Sequence, residues 1–144
     1  MINGFARLEL AGAVNEVYAV LLGDGLSASG VTVTGADTTR VVLGTDDPSK
    51  TLERLGRRGL PSEGADVLVN GLAFGIEQAD APGEGSIALD HVVVHTADAE
   101  GAVANYAGRL GLDLRLERHA PQWGSHMLFL RCGRSVLELS LIHI

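Results

Sequence analysis

Two short apolar runs, each interrupted by one ionisable side chain, bracket the C-terminal part of this 144-residue chain: Asp90-His91-Val92-Val93-Val94 and Val136-Leu137-Glu138-Leu139. Runs this short and rich in β-branched residues read as strands. Alternate residues of a strand share a face, so His91, Val93 and His95 lie together, opposite Val92 and Val94. Val136, Glu138 and Ser140 likewise share a face, and Leu137 and Leu139 form the packed side. Both polar residues therefore stand where an apolar one is expected. Between the runs, Asp98 caps a helical pattern whose inner face is Ala99, Ala102, Val103, Tyr106 and Leu110. Strand-like runs at Leu112–Leu116 and Met127–Arg131 complete a β-α-β-β-β order over residues 88–140.

The preceding residues echo this order. Phe5 to Leu10 alternate apolar and polar, residues 13–22 have helical spacing, and Val31–Thr34 is β-branched. Arg40 to Gly44 form a strand, and Asp47-Pro48 opens a helix with a narrow face of Leu52 and Leu55 that Gly59 stops. Asn70-Gly71 joins two strands, 66–70 and 72–77, as a hairpin. Val41–Asp47 aligns with Val92–Asp98 at an offset of 51, and a looser match at an offset of 86 sets Phe5 opposite His91. The expected organisation is a degenerate, shortened unit or pair of units in residues 1–80, a linker at 81–87 and a regular unit at 88–140. The fold class is α+β.

Charge narrows the partners. Eighteen acids against 11 bases give a net charge of -7, which repels a phosphate backbone and argues against nucleic acid. No run reaches the roughly 18 apolar residues of a membrane span, and no secretory signal opens the chain, so a soluble cytoplasmic domain is expected. The single cysteine, Cys132, excludes an internal disulfide and reads as a small core residue.

A lone enclosed carboxylate is costly unless it meets a cation or metal. His91 facing Glu138 is the obvious partner, and imidazole plus carboxylate suits zinc, iron, manganese or nickel. Taken singly, His91 reads as a hydrogen-bonded strand residue and Glu138 as a solvated edge residue. Trp123 and His126 are weaker candidates to line a substrate pocket; Trp123 could equally cap a core, and His126 and His95 could be structural or exposed. His119 lies in a polar loop. No nucleophile elbow, phosphate loop or paired-cysteine spacing is present.

At Leu89–Val94, Asn105-Tyr106 with Leu110-Gly111-Leu112, and Val136–Leu139, the chain resembles the vicinal oxygen chelate superfamily, which includes glyoxalase I, extradiol dioxygenases, methylmalonyl-CoA epimerase and the fosfomycin and bleomycin resistance proteins. The resemblance covers residues 88–140 well and the first 80 loosely. It implies β-α-β-β-β modules that pair into a cupped, mixed or antiparallel sheet with helices on the outside. In metal-dependent members the first strand of a module gives a histidine and the last a glutamate, positions matched by His91 and Glu138. Arg40 and Phe5 stand where earlier units would carry the histidine, and Glu77 is matched to Glu138; the resemblance thereby makes Arg40 and Glu77 weaker pocket candidates, with Arg40 either binding an anionic substrate group or neutralising Glu77. The resemblance implies a divalent metal ion and a small-molecule substrate, with lyase, isomerase or dioxygenase chemistry. The alternatives are a metal-free sequestering protein of the bleomycin-resistance type, or a module in which His91 and Glu138 merely pair. Modules of this kind also pair between chains, so a homodimer is expected.

Residues 139–144, Leu-Ser-Leu-Ile-His-Ile, can be encoded by a transposon end used in preparing sequencing libraries. The expectation is an artefactual tail, with His143 no ligand and the natural C-terminus missing.

Overall fold

The computed structural model describes residues 1–11, 27–28, 31–79 and 89–142. The helix expected at 13–22, the linker at 81–87 and His143 lie outside them. Within them run β1 (Ile2–Ala11), β2 (Ser27–Ala28), β3 (Val31–Ala36), β4 (Arg40–Thr45), α1 (Pro48–Arg57), β5 (Ser62–Glu63), β6 (Asp66–Val69), β7 (Leu72–Gln78), β8 (His91–Thr96), α2 (Ala99–Ala102), a π-helical segment (Val103–Arg109), β9 (Asp113–Ala120), β10 (Ser125–Cys132) and β11 (Ser135–Ile142).

Local chemistry accounts for the boundaries. Asp47 accepts the Lys50 N–H at 3.0 Å and Asp98 the Gly101 N–H at 2.9 Å, capping α1 and α2. Asn70 (φ 49°) and Gly71 (φ 83°) take the left-handed pair that a two-residue hairpin requires, between paired Val69 and Leu72. The second helix departs from its expected face. Its end widens into i→i+5 bonding, with Leu110 N–H to Asn105 C=O at 2.7 Å. Such widening suits a spacing of four, so Ala102, Tyr106 and Leu110 are buried while Val103 is turned out to solvent. β9 also runs further than expected: it pairs with β10 along its length, which takes His119 out of a loop and into a strand.

The strands form two sheets. One has the order β8-β11-β10-β9, with β8 parallel to β11 and the other pairs antiparallel. The other has the order β2-β3-β1-β4-β7-β6-β5. Its β4-β7-β6-β5 half repeats the same plan: β4 is parallel to β7, and β7-β6 and β6-β5 are antiparallel. On the far side β1 is parallel to β3, and β3 is antiparallel to β2. The two halves meet where β1 and β4 pair antiparallel.

One hydrophobic cluster joins both sheets, with Phe5, Val41, Leu43, Phe74 and Ile76 on one side and Leu128, Leu130, Leu137 and Leu139 on the other. Phe74 and Tyr106 meet edge to face at its centre, ring centroids 5.7 Å apart. Cys132 is buried in the cluster, and burial pushes its thiol up to about 12, which leaves it inert at neutral pH. No described helix is long and apolar enough to cross a membrane.

The Tyr106 hydroxyl is buried without a hydrogen bond, and burial pushes its pKa up to about 12. Removing an unsatisfied buried polar group is neutral or favourable. Tyr106→Phe is therefore expected to unfold in urea at the wild-type midpoint or above it, and Phe74→Ala to lose about 3–5 kcal/mol. A Tyr106→Phe variant weakened by more than about 1 kcal/mol would show that the hydroxyl has a partner.

Candidate functional site

Strand register decides which side chains meet. In the four-stranded sheet His91 pairs with Val136, Val93 with Glu138 and His95 with Ser140. Across β10, Glu138 pairs with Phe129 and Ser140 with Met127; across β9, Phe129 pairs with Leu116. Paired residues point to the same side. One face therefore carries His91, Glu138, Val93, Phe129 and Leu116. The opposite face carries Leu128, Leu130, Leu137 and Leu139 and is packed into the core. The open face keeps apolar side chains in solvent: Val93 is 41% and Leu116 56% exposed.

On that face His91 Nε2 lies 3.7 Å from Glu138 Oε2, with the histidine side chain 44% exposed and the carboxylate only 16%. His91 Nδ1 lies 2.7 Å from Asp90 Oδ2. An ionised carboxylate only accepts, so Nδ1 carries the proton, and in the neutral ring Nε2 turns a lone pair toward Glu138. Two acceptors then face each other beyond hydrogen-bond distance. A proton on Nε2 or a cation between them resolves this, and a carboxylate on the far nitrogen is the usual support of a metal-bound histidine. The donor set thus fits half of a transition-metal site. Among the described residues no three His, Cys, Asp or Glu side chains converge as a metal group would need.

The larger sheet holds a different device. Arg7 donates to Glu9 at 2.8 Å and grips Glu77 with two bonds, of 2.9 and 2.7 Å. Arg40 donates to Glu9 at 3.0 Å and to both oxygens of Asp66 at 3.0 and 3.1 Å, and lies 3.9 Å from Glu77. Two guanidiniums and three carboxylates so cross β1, β4, β6 and β7. Arg40 and Glu77 are brought together, yet as members of an ion network.

Register also corrects the matching of Glu77 to Glu138. Val93, two residues after His91, faces Glu138; Val42, two residues after Arg40, faces Gly75. Gly75 therefore holds the position of Glu138, and Glu77 that of Ser140. A Cβ on Gly75 would collide with the Arg40 guanidinium, which fills the space. Phe5, matched to His91 from further upstream, is buried in the core. Neither earlier position holds a metal ligand.

The remaining candidates lie elsewhere. His126 pairs with His119 and Leu141, placing it on the core side of its sheet, away from His91 and Glu138. It bonds Glu117 at 2.6 Å, and its ring packs 4.8 Å from that of His119. Trp123 sits on the short turn between β9 and β10 and is 76% exposed, so it encloses no pocket. Arg7, Glu9 and Asp66 escaped the sequence reading; the alternation from Phe5 to Leu10 marks Arg7 and Glu9 as one polar face, without showing what they meet.

The hydrogen bonds from Arg7 hold Glu77 below its ordinary carboxylate range, against the opposing effect of burial. A lowered folded-state pKa gives stability that is present above the unfolded value of 4.5 and lost as pH falls through the folded one. Wild type is expected to melt above Glu77→Gln at pH 7, with the gap closing as pH falls below about 4.5. A gap independent of pH, followed by calorimetry, would show that ionised Glu77 contributes nothing to stability.

No family model and no curated protein matches this sequence. Solved structures do. A triple mutant of 4-hydroxymandelate synthase from Streptomyces coelicolor superposes with TM-score 0.69 at 13% identity, over 98% of this chain and 63% of that one. A halotolerant catechol dioxygenase gives 0.67 at 10% identity, over 98% and 65%. The 2,2',3-trihydroxybiphenyl 1,2-dioxygenase of Sphingomonas wittichii gives 0.62 at 17%, over 96% and 68%. The chain spans less than two thirds of the first two. At such identities the likeness is one of fold, and it joins the strand order repeated in both sheets: this chain has a glyoxalase-like α+β fold.

Proposed function

We propose that this chain contributes half of a divalent-metal site, at His91 and Glu138, to a protein of the vicinal oxygen chelate kind acting on a small molecule. The observation that carries this reading is the pairing of His91 Nε2 with Glu138 at 3.7 Å while Asp90 occupies Nδ1. A bound zinc, iron, manganese or nickel ion supplies Lewis acidity toward substrate oxygens. The chain's own residues orient it. Asp90 fixes the imidazole tautomer, the β8–β11 register holds Glu138 opposite, and Val93, Phe129 and Leu116 give the same face an apolar floor for the substrate's carbon skeleton.

Two ligands leave the coordination incomplete, so a further unit supplies the rest. Within the larger sheet the units of β1 and β4 join through those strands, antiparallel. Among the described strands β8 lies at the end of its sheet's order, an edge that suits the same kind of neighbour from a second copy or from further chain. In this reading residues 1–80 contribute the scaffold, residues 81–87 the connection and residues 88–140 the working unit.

A second reading rests on the lack of a third converging ligand among the described residues: a metal-free binding protein that uses the open face to sequester a small molecule. Purification without chelator, followed by metal analysis, separates the two. The first reading expects near-stoichiometric metal, lost in His91→Ala and in Glu138→Gln. Equal metal content in both variants and the wild type would refute it. Thermal stabilisation by an organic ligand in metal-free protein, unchanged on adding metal, would establish the second.

A further inference from the structure

A separate cleft of about 360 Å³ opens where α1 and the strand β1 meet the ends of β9 and β10. Arg54, Arg58 and Arg131 line it, over a floor that includes Leu110 and Leu112. Its one acidic group, Asp113, is already bonded to Arg115 at 2.8 Å. None of the three lining arginines makes an ion pair with a described residue, whereas Arg57, on the same helix, pairs with Glu53. In a chain of net charge -7, three uncompensated guanidiniums at one cleft oppose the prevailing field.

An independent observation concerns Arg54. Its Nε is shielded from solvent and has no hydrogen-bond partner, a state that is costly for a charged donor. Arg131 is steadied by donating its Nε to the Gly133 carbonyl at 3.0 Å, which leaves the outer guanidinium nitrogens for something else. The exposed Arg58 stands beside Gly111, where an added Cβ would come within 3.0 Å of its Nη1.

The geometry points to a binding site for a small organic anion, with a phosphate or carboxylate head on the arginines and an apolar body over Leu110 and Leu112. Planar guanidiniums bind both heads by paired, charge-assisted bonds. The volume suits a small molecule better than a bare ion. The cleft involves neither His91 nor Glu138, so this site stands or falls apart from the metal reading.

Calorimetric titration of the whole chain with phenyl phosphate, benzoate and phenol, at constant ionic strength, tests it. Saturable binding of either anion, with none of phenol, is expected; the tighter anion identifies the head group. Arg58→Gln and Arg131→Gln, at exposed positions that leave the core intact, are each expected to weaken binding about tenfold or more. Arg57→Gln, which removes an arginine of the same helix that lies outside the cleft lining and pairs with Glu53, is expected to leave it unchanged. No binding of either anion, equal binding of phenol, or wild-type affinity in both cleft variants would overturn the assignment.

Discussion

The parallel pairing of a unit's first strand with its last is the constraint on which the rest of this structure depends. Parallel neighbours cannot be joined by a hairpin, so the chain must cross over before it returns. Each unit spends that crossover on a helix and two antiparallel strands, which is why β4 to β7 and β8 to β11 share one order. The pairing also sets side-chain direction. A one-residue slip of β11 against β8 would expose Leu137 and Leu139 and bury Glu138. The apolar face thus holds the register, and the register holds His91 opposite the glutamate.

The same frame carries two kinds of chemistry. In the β4–β7 unit an arginine stands at the head of the first strand, and a glycine stands where the last strand would carry its carboxylate. The guanidinium fills that space and binds Asp66 and Glu9 instead. Charge is balanced almost internally, by two cations and three anions, and the face is committed to holding β1, β4, β6 and β7 together. In the β8–β11 unit the head position is an imidazole that Asp90 orients, and the carboxylate is kept. That face closes no ion network and leaves Val93 and Leu116 in solvent.

Much of this was legible in the sequence, for stated physical reasons. The repeat at an offset of 51 carries the two strand-helix units, capped by Asp47 and Asp98, and the Asn70-Gly71 hairpin announces its own backbone. His91 and Glu138 stood out because ionisable groups interrupt runs that must otherwise pack. Long-range register was not legible. The run Phe74-Gly75-Ile76-Glu77 matches Glu77 to Glu138 by residue type, whereas pairing puts Gly75 there, because a carboxylate in an apolar run does not fix which first-strand residue it faces. His126 fell on the core side for a similar reason, since its face depends on where β10 begins. The partners of Arg7 and Arg40 come from strands far apart in sequence, so no local pattern could name them.

Asp90 holds His91 with its proton on Nδ1, leaving Nε2 to face Glu138. Two-bond nitrogen–proton correlation NMR of the imidazole reads that tautomer directly. In the neutral ring Nδ1 is expected to carry the proton and Nε2 to be bare, with zinc added in excess shifting Nε2 alone. A proton found on Nε2, or a shift confined to Nδ1, would contradict it.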